Sequence, residues 1–318
     1  MFEDTHGSGK GSRGVGRALG TSRSTPGAGK VRGQAPAGGG YVGGMRRPPG
    51  SVGLPSDFGR AGTTEKLART GISIIEAIAT MNPLADRVIL VTGGTRGIGR
   101  AIAKKLIKEG GALAICGRRQ EAVDAAVREL AGETAGKVKG KVADVRSYEQ
   151  VAELFRFIDG EFGRLDVLVN NAGVGVFRPV RDLALEEWKE TIETNLSGAF
   201  YCSREALFRF ETKGIGYIVN IGSLAGKHAF AGGAAYNASK FGLTGFTEAL
   251  MQDVRAQNVR VSYVMPGSVA TGFGGNEMTG SEWRIWPEDV AEIVSMLLRM
   301  PPRTLVSSVE VRPAKPKK

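Results

Sequence analysis

The chain has 318 residues and a formal net charge of +11. The excess lies at the ends: residues 1–80 carry +6 and Arg312–Lys318 carry +4, leaving +1 for 81–311. A near-neutral body argues against a basic nucleic-acid groove, and the absence of any run of 18 or more apolar residues excludes a helical membrane span.

Residues 1–62 hold eighteen of the 47 glycines and almost no apolar periodicity. Such a segment cannot bury enough surface to offset its ordering entropy, so disorder is expected over roughly 1–80. Within it, 64–80 reads as a short amphipathic helix at best. Translation starting at Met81 or Met45 is a plainer account of this stretch. There is no signal-peptide core. Cys116 and Cys202 lie in apolar runs without metal or redox spacing, which predicts two buried thiols in a reducing, cytoplasmic compartment. The only histidines are His6 and His228, so no metal site is expected.

From Met81 onward strands and helices alternate. Arg87–Thr92, Ala112–Cys116, Lys139–Ala143, Val167–Val169, Tyr217–Ile221, Val259–Val264 and Leu305–Val311 read as strands. Ile98–Glu109, Glu121–Leu130, Tyr148–Phe162, Glu186–Phe210, Tyr236–Ala256 and Pro287–Arg299 read as helices. The strand runs are continuous and Val/Ile-rich, as strands covered on both faces must be. The alternation predicts an α/β fold with one doubly wound parallel sheet of about seven strands and helices on both faces.

Thr92-Gly93-Gly94-Thr95-Arg96-Gly97-Ile98-Gly99 follows the first strand and opens the first helix. Glycines at 93, 97 and 99 allow a tight turn and close approach of backbone to a diphosphate at a helix N-terminus. Thr95, Arg96 and Ile98 belong to the same turn. The second strand ends in Cys116-Gly117-Arg118-Arg119, with no carboxylate to receive a ribose hydroxyl. Arg118 and Arg119, with Arg96, suit a 2′-phosphate, which predicts NADP(H).

Ser223, Tyr236 and Lys240 form the candidate catalytic set. Tyr236 and Lys240 are one helical turn apart. A cation there is expected to pull the phenol pKa down from about 10 toward the working range, making it an acid–base group. His228 and Phe230 lie just beyond Ser223, and Gly272–Met278 is a glycine-rich loop placed to cover a substrate.

In this order, Thr92–Gly99, Asp144-Val145, Asn170-Asn171-Ala172-Gly173, Asn195, Ser223, Tyr236-Asn237-Ala238-Ser239-Lys240 and Pro266-Gly267 with Val269 and Thr271 resemble the short-chain dehydrogenase/reductase family over about 84–311. The resemblance implies a Rossmann-type sheet. It implies that Asp144 and Val145 flank the adenine and that Asn171, Ala172 and Gly173 lie along a ribose. Asn195 would hold a water in a proton relay to Lys240. Pro266, Gly267, Val269 and Thr271 would grip the nicotinamide, and Tyr236 and Lys240 would touch the cofactor as well as the substrate.

The implied activity is reduction of a ketone, with the look of 3-oxoacyl-[acyl-carrier-protein] reductases and general ketone reductases. An alcohol or hydroxysteroid-type dehydrogenase running oxidatively is the alternative. Expected partners are a small carbonyl or alcohol substrate and a second copy of the chain, as dimer or tetramer. Specific nucleic acid and membrane are not expected. An alternative of another kind is a polyanion binder acting through the basic tails.

Overall fold

The computed structural model describes residues 82–133, 136–275 and 282–315. The expected disorder of 1–80, the 64–80 helix, the start at Met81 or Met45, the last three residues of the basic C-terminal tail and residues 276–278 of the expected substrate loop fall outside these residues.

Seven strands form one parallel sheet: β1 (Val88–Thr92), β2 (Ala112–Gly117), β3 (Val138–Val142), β4 (Val167–Asn170), β5 (Gly216–Ile221), β6 (Val259–Pro266) and β7 (Ser308–Val311). Their order is β3-β2-β1-β4-β5-β6-β7. The order reverses between β1 and β4, and a crevice opens beyond the strand ends at such a reversal.

Alternate residues of each strand point to opposite faces, and both faces are covered. Ile89, Val91, Leu113, Ile115, Val167 and Val169 pack with α1 (Gly97–Lys108) and α7 (Pro287–Arg299). Val88, Leu90, Ala114, Cys116 and Leu168 pack with α3 (Tyr148–Phe162), α5 (Gly198–Lys213) and α6 (Ala234–Val254). This is the doubly wound α/β sheet expected from the sequence. Both cysteines are free and buried.

The helix ends follow local chemistry. Ser147 Oγ accepts the Gln150 N–H at 3.2 Å to open α3, and Gly163 closes it in the left-handed region at φ 71°. α7 starts on Pro287, and Asp289 Oδ2 accepts the Trp286 N–H at 2.8 Å. α2 (Gln120–Glu133) runs about a turn longer than expected.

Two expectations need correction. The single helix read over Glu186–Phe210 is α4 (Leu185–Ile192), a π-turn over Glu193–Ser197, and α5. Asn195 sits inside that turn, and its side chain leaves the helix to bond residues outside it, which widens the ladder locally. The last strand is also shorter than Leu305–Val311. The Val306 carbonyl is taken by Ser262 Oγ at 2.5 Å, so regular pairing begins only at Ser308. Among the described residues, no helix is long and apolar enough to cross a membrane.

Candidate active site

A cleft of about 1280 Å³ lies over the C-terminal ends of the strands, from the end of β2 to the loops after β5 and β6. Gly93, Thr95, Arg96, Gly97, Ile98, Gly99, Arg118, Asp144, Val145, Asn171, Ala172, Gly173, Ser223, Tyr236, Lys240, Pro266, Gly267, Val269 and Thr271 all line it. The motifs quoted from the sequence are thus one surface. Two predicted residues are not on it. Arg119 is exposed outside the cleft, because successive residues after β2 diverge and only Arg118 turns inward. Asn195 is buried beneath it.

The glycine turn is held by side chains from the neighbouring strand. Asn171 Nδ2 donates to the carbonyls of Thr92 at 2.9 Å and Gly93 at 3.2 Å. Thr92 Oγ1 accepts the N–H of Asn171 and of Ala172, both at 3.0 Å. Gly93 and Gly97 have φ of 64° and 54°, where a side chain would be strained. A Cβ on Gly99 would collide with Asn171 and the Gly93 carbonyl. The turn is therefore a cradle of bare backbone at the start of α1, as a diphosphate requires.

At the β2 end, Arg118 Nη1 pairs with Glu190 at 2.7 Å and is half exposed. Arg96 is exposed at the cleft. Asp144 is clasped by Arg146, with contacts of 2.6–3.0 Å. Burial pushes its carboxyl up, but the Arg146 bonds outweigh this and hold it below the ordinary range.

At the other end, Ser223 begins a short 3₁₀ turn and accepts the Ala225 N–H at 3.1 Å, leaving its own proton to donate. It pairs with the Tyr236 hydroxyl. Lys240 Nζ donates to the Ile221 carbonyl at 3.0 Å and lies 5.8 Å from the centre of the Tyr236 ring. Burial lowers its ammonium to about 8. Burial likewise dominates Tyr236, whose phenol is pushed up to about 12; the Ser223 bond opposes this and Tyr263 adds to it. The phenol thus stands above its ordinary value and not below it as expected: desolvation dominates, and the Lys240 hydrogen bond goes to the Ile221 carbonyl.

Asn195 is committed on three sides. Its Oδ1 accepts the Val174 N–H at 2.8 Å, and its Nδ2 donates to the Val174 carbonyl and to Ser239 Oγ, each at 2.9 Å. Its amide has no donor left for a water. It fastens the loop after β4 to α6.

Sequence reasoning missed several groups. Asn237 ties the loop around Ser223, donating to the Ala225 carbonyl at 2.8 Å and the His228 carbonyl at 3.3 Å. Asn170 and Asn220 pair across β4 and β5 at 2.9 Å. Matching asparagines at the C-terminal ends of consecutive strands were the available signal. Phe177, Trp283, Arg284 and Arg312 also line the cleft and carry no motif.

The comparisons agree with this geometry. A short chain dehydrogenase family model matches residues 87–281. A 3alpha-hydroxysteroid dehydrogenase of Mediterraneibacter gnavus is 36% identical over 59% of this chain and 76% of its own length. An uncharacterized oxidoreductase of Staphylococcus aureus is 30% identical over 73% of this chain and all of its own. Among solved structures, a metagenomic short-chain oxidoreductase in complex with NADP is 35% identical, with TM-score 0.65 over 73% of this chain and 99% of that one. An actinorhodin polyketide ketoreductase variant with NADPH is 32% identical, with TM-score 0.67 over 71% and 96%. On the family match and the full-length relative, the chain belongs to the short-chain dehydrogenase/reductase family of oxidoreductases.

Proposed function

We propose that the chain uses NADP(H) to reduce a ketone to a secondary alcohol. The observation that carries this is the pairing of Tyr236 with Ser223 above a buried Lys240, in one cleft with a bare glycine cradle and Arg118. β2 and β5 are three strand spacings apart, roughly 15 Å, so an extended dinucleotide can lie from Arg118 to Tyr236. NADP-bound relatives of similar fold support the same choice.

When bound along the glycine cradle and Arg118, NADPH would supply the hydride for the carbonyl carbon. Ser223 orients the carbonyl oxygen by turning its proton from the Tyr236 hydroxyl to that oxygen. Tyr236 delivers the proton that this oxygen takes up. Its raised pKa keeps the phenol protonated at neutral pH, which is the form that reduction needs and oxidation does not. Lys240 holds the Ile221 carbonyl at the end of β5 and reaches the edge of the cleft. Asn195 acts as a positioning residue for this face of α6. Arg118 and Arg96 receive the 2′-phosphate, and Arg119 does not.

Exposed Phe200, Phe208 and Phe241 on α5 and α6 fit a homo-oligomer through these helices. Two free buried thiols fit a reducing cytoplasm. The test is NADPH consumption against a panel of ketones beside NADH, with Tyr236→Phe. Turnover that survives this substitution at the wild-type rate overturns the reading.

A further inference from the structure

Three phenyl rings from three separate loops gather around Tyr236. Phe177 follows β4, Phe230 precedes α6, and Phe273 follows β6. Phe177 meets the Tyr236 ring edge-on at 5.5 Å between centroids, and Phe273 meets it tilted at 5.6 Å. Phe230 lies 5.8 Å from Phe177. All four rings line the cleft, yet Phe177 and Phe230 remain 40% and 47% exposed.

The rings are seated, each against a glycine. A Cβ on Gly175 would lie 2.5 Å from Phe273 and 3.0 Å from Phe177. One on Gly233 would lie 2.7 Å from Phe230, and one on Gly274 would collide with Phe177. Arg178 and Gly233 form a β-bridge that joins two of the loops. The arrangement is thus built into three backbones and leaves apolar ring surface turned toward the reacting centre.

Several of the rim's positive charges are already paired, and Arg284 lies on the Trp283 ring elsewhere in the cleft lining. Arg178 pairs with Glu187 at 2.9 Å, and Glu310 takes both Lys227 at 2.7 Å and Arg312 at 2.9 Å. A flat rigid molecule covers tilted and edge-on rings at ordinary aromatic spacings and loses less rotor freedom on binding than a chain does.

We propose that the substrate is an apolar ketone of two or more fused rings, clamped by Phe177, Phe230 and Phe273 with its carbonyl at Tyr236 and Ser223. This rests on the carbonyl-reduction reading above. The test compares 2-tetralone with 2-decanone, of equal carbon number, and with an acetoacetyl thioester, following NADPH absorbance. Calorimetric titration of 2-tetralone into the NADP⁺-loaded protein gives binding independently.

The expected result is a kcat/KM for 2-tetralone about 10-fold or more above that of 2-decanone, carried by KM. Phe177→Ala and Phe230→Ala should bring that ratio toward one through KM. Gly175→Ala, which displaces Phe273, should do the same. Equal or faster turnover of the linear ketone or thioester overturns the clamp and leaves carbonyl reduction standing. Binding of 2-tetralone without turnover of any ketone overturns the carbonyl-reduction reading instead. Absence of both overturns both.

Discussion

Lys240 Nζ is bonded to the carbonyl oxygen of Ile221, at 3.0 Å, at the end of β5. Its ammonium is held at about 8 by burial. The folded pKa is depressed below the unfolded value of 10.5, so folding sheds a proton between the two. Wild-type stability therefore gains from this group as pH rises from about 8 to above 10, and forfeits about 3 kcal/mol at neutral pH. Lys240→Met removes that cost but strands the Ile221 carbonyl, which returns about 1–3 kcal/mol. The variant should lose turnover, and its Tm relative to wild type should be nearly level up to about pH 8 and fall from there to pH 10. Thermal melts from pH 7 to 10 check it; a difference that does not move above pH 8 would contradict the assignment.

The phenol of Tyr236 gives a second pH signature. With its pKa near 12, reduction should be insensitive to phenol ionisation from pH 6 to 9. Alcohol oxidation needs the phenolate, so its kcat/KM should climb about tenfold per pH unit through the same range. Tyr236→Phe should cost on the order of 10²–10⁴ in either direction. Initial rates with a ketone and its alcohol suffice. A plateau in oxidation below pH 9 would show that the phenol is far more acidic than its burial dictates.

Much of this was readable because burial on both sheet faces writes itself as apolar runs, and because cofactor turns need glycine at fixed places. Gly93, Gly97 and Gly99 have no substitutes that fit, so they stand out. What escaped depends on side chains choosing between partners. Asn195 looks like a helical residue until Val174 and Ser239 compete for its amide and open the helix. Arg118 and Arg119 are indistinguishable in sequence, yet only Arg118 turns into the cleft. Whether Lys240 or desolvation controls Tyr236 depends on depth, which residue spacing does not encode. The phenyl rings were invisible as a group because their loops are distant in the chain.

On the proposed reading, Arg118 is the residue on which the choice of NADPH over NADH depends. A charge-assisted contact to phosphate contributes about 1.5–3 kcal/mol, or roughly 10- to 150-fold in affinity. Arg118→Ala should weaken 2′,5′-ADP by that factor and leave 5′-AMP nearly unchanged. Arg119→Ala should change neither, since its side chain is outside the cleft. Glu190→Gln should tighten 2′,5′-ADP a few-fold by releasing Arg118 from its 2.7 Å pair. Calorimetry with the two nucleotides reads all three. Equal losses in the Arg118 and Arg119 variants would show that the phosphate is shared.

Beneath the active site, Asn170 Oδ1 and Thr194 Oγ1 are buried without a protein partner. Both residues line a small cavity of about 10 Å³, together with Thr92, Asn195 and Ala172. That volume holds about one water, and polar walls favour one. We expect a crystal structure to place an ordered water between the Asn170 carbonyl and the Thr194 hydroxyl. Thr194→Val keeps the shape and removes one of its anchors, so it should cost about 1–2 kcal/mol of stability. Asn170 also donates to Ser203 at 3.0 Å and Asn220 at 2.9 Å, so the loss should extend to the loop after β4 and slow turnover modestly. Urea titration of Thr194→Val beside Thr194→Ser, which retains the hydroxyl, separates the water from simple packing. If valine and serine destabilise equally, the two orphan atoms are not linked through a solvent molecule.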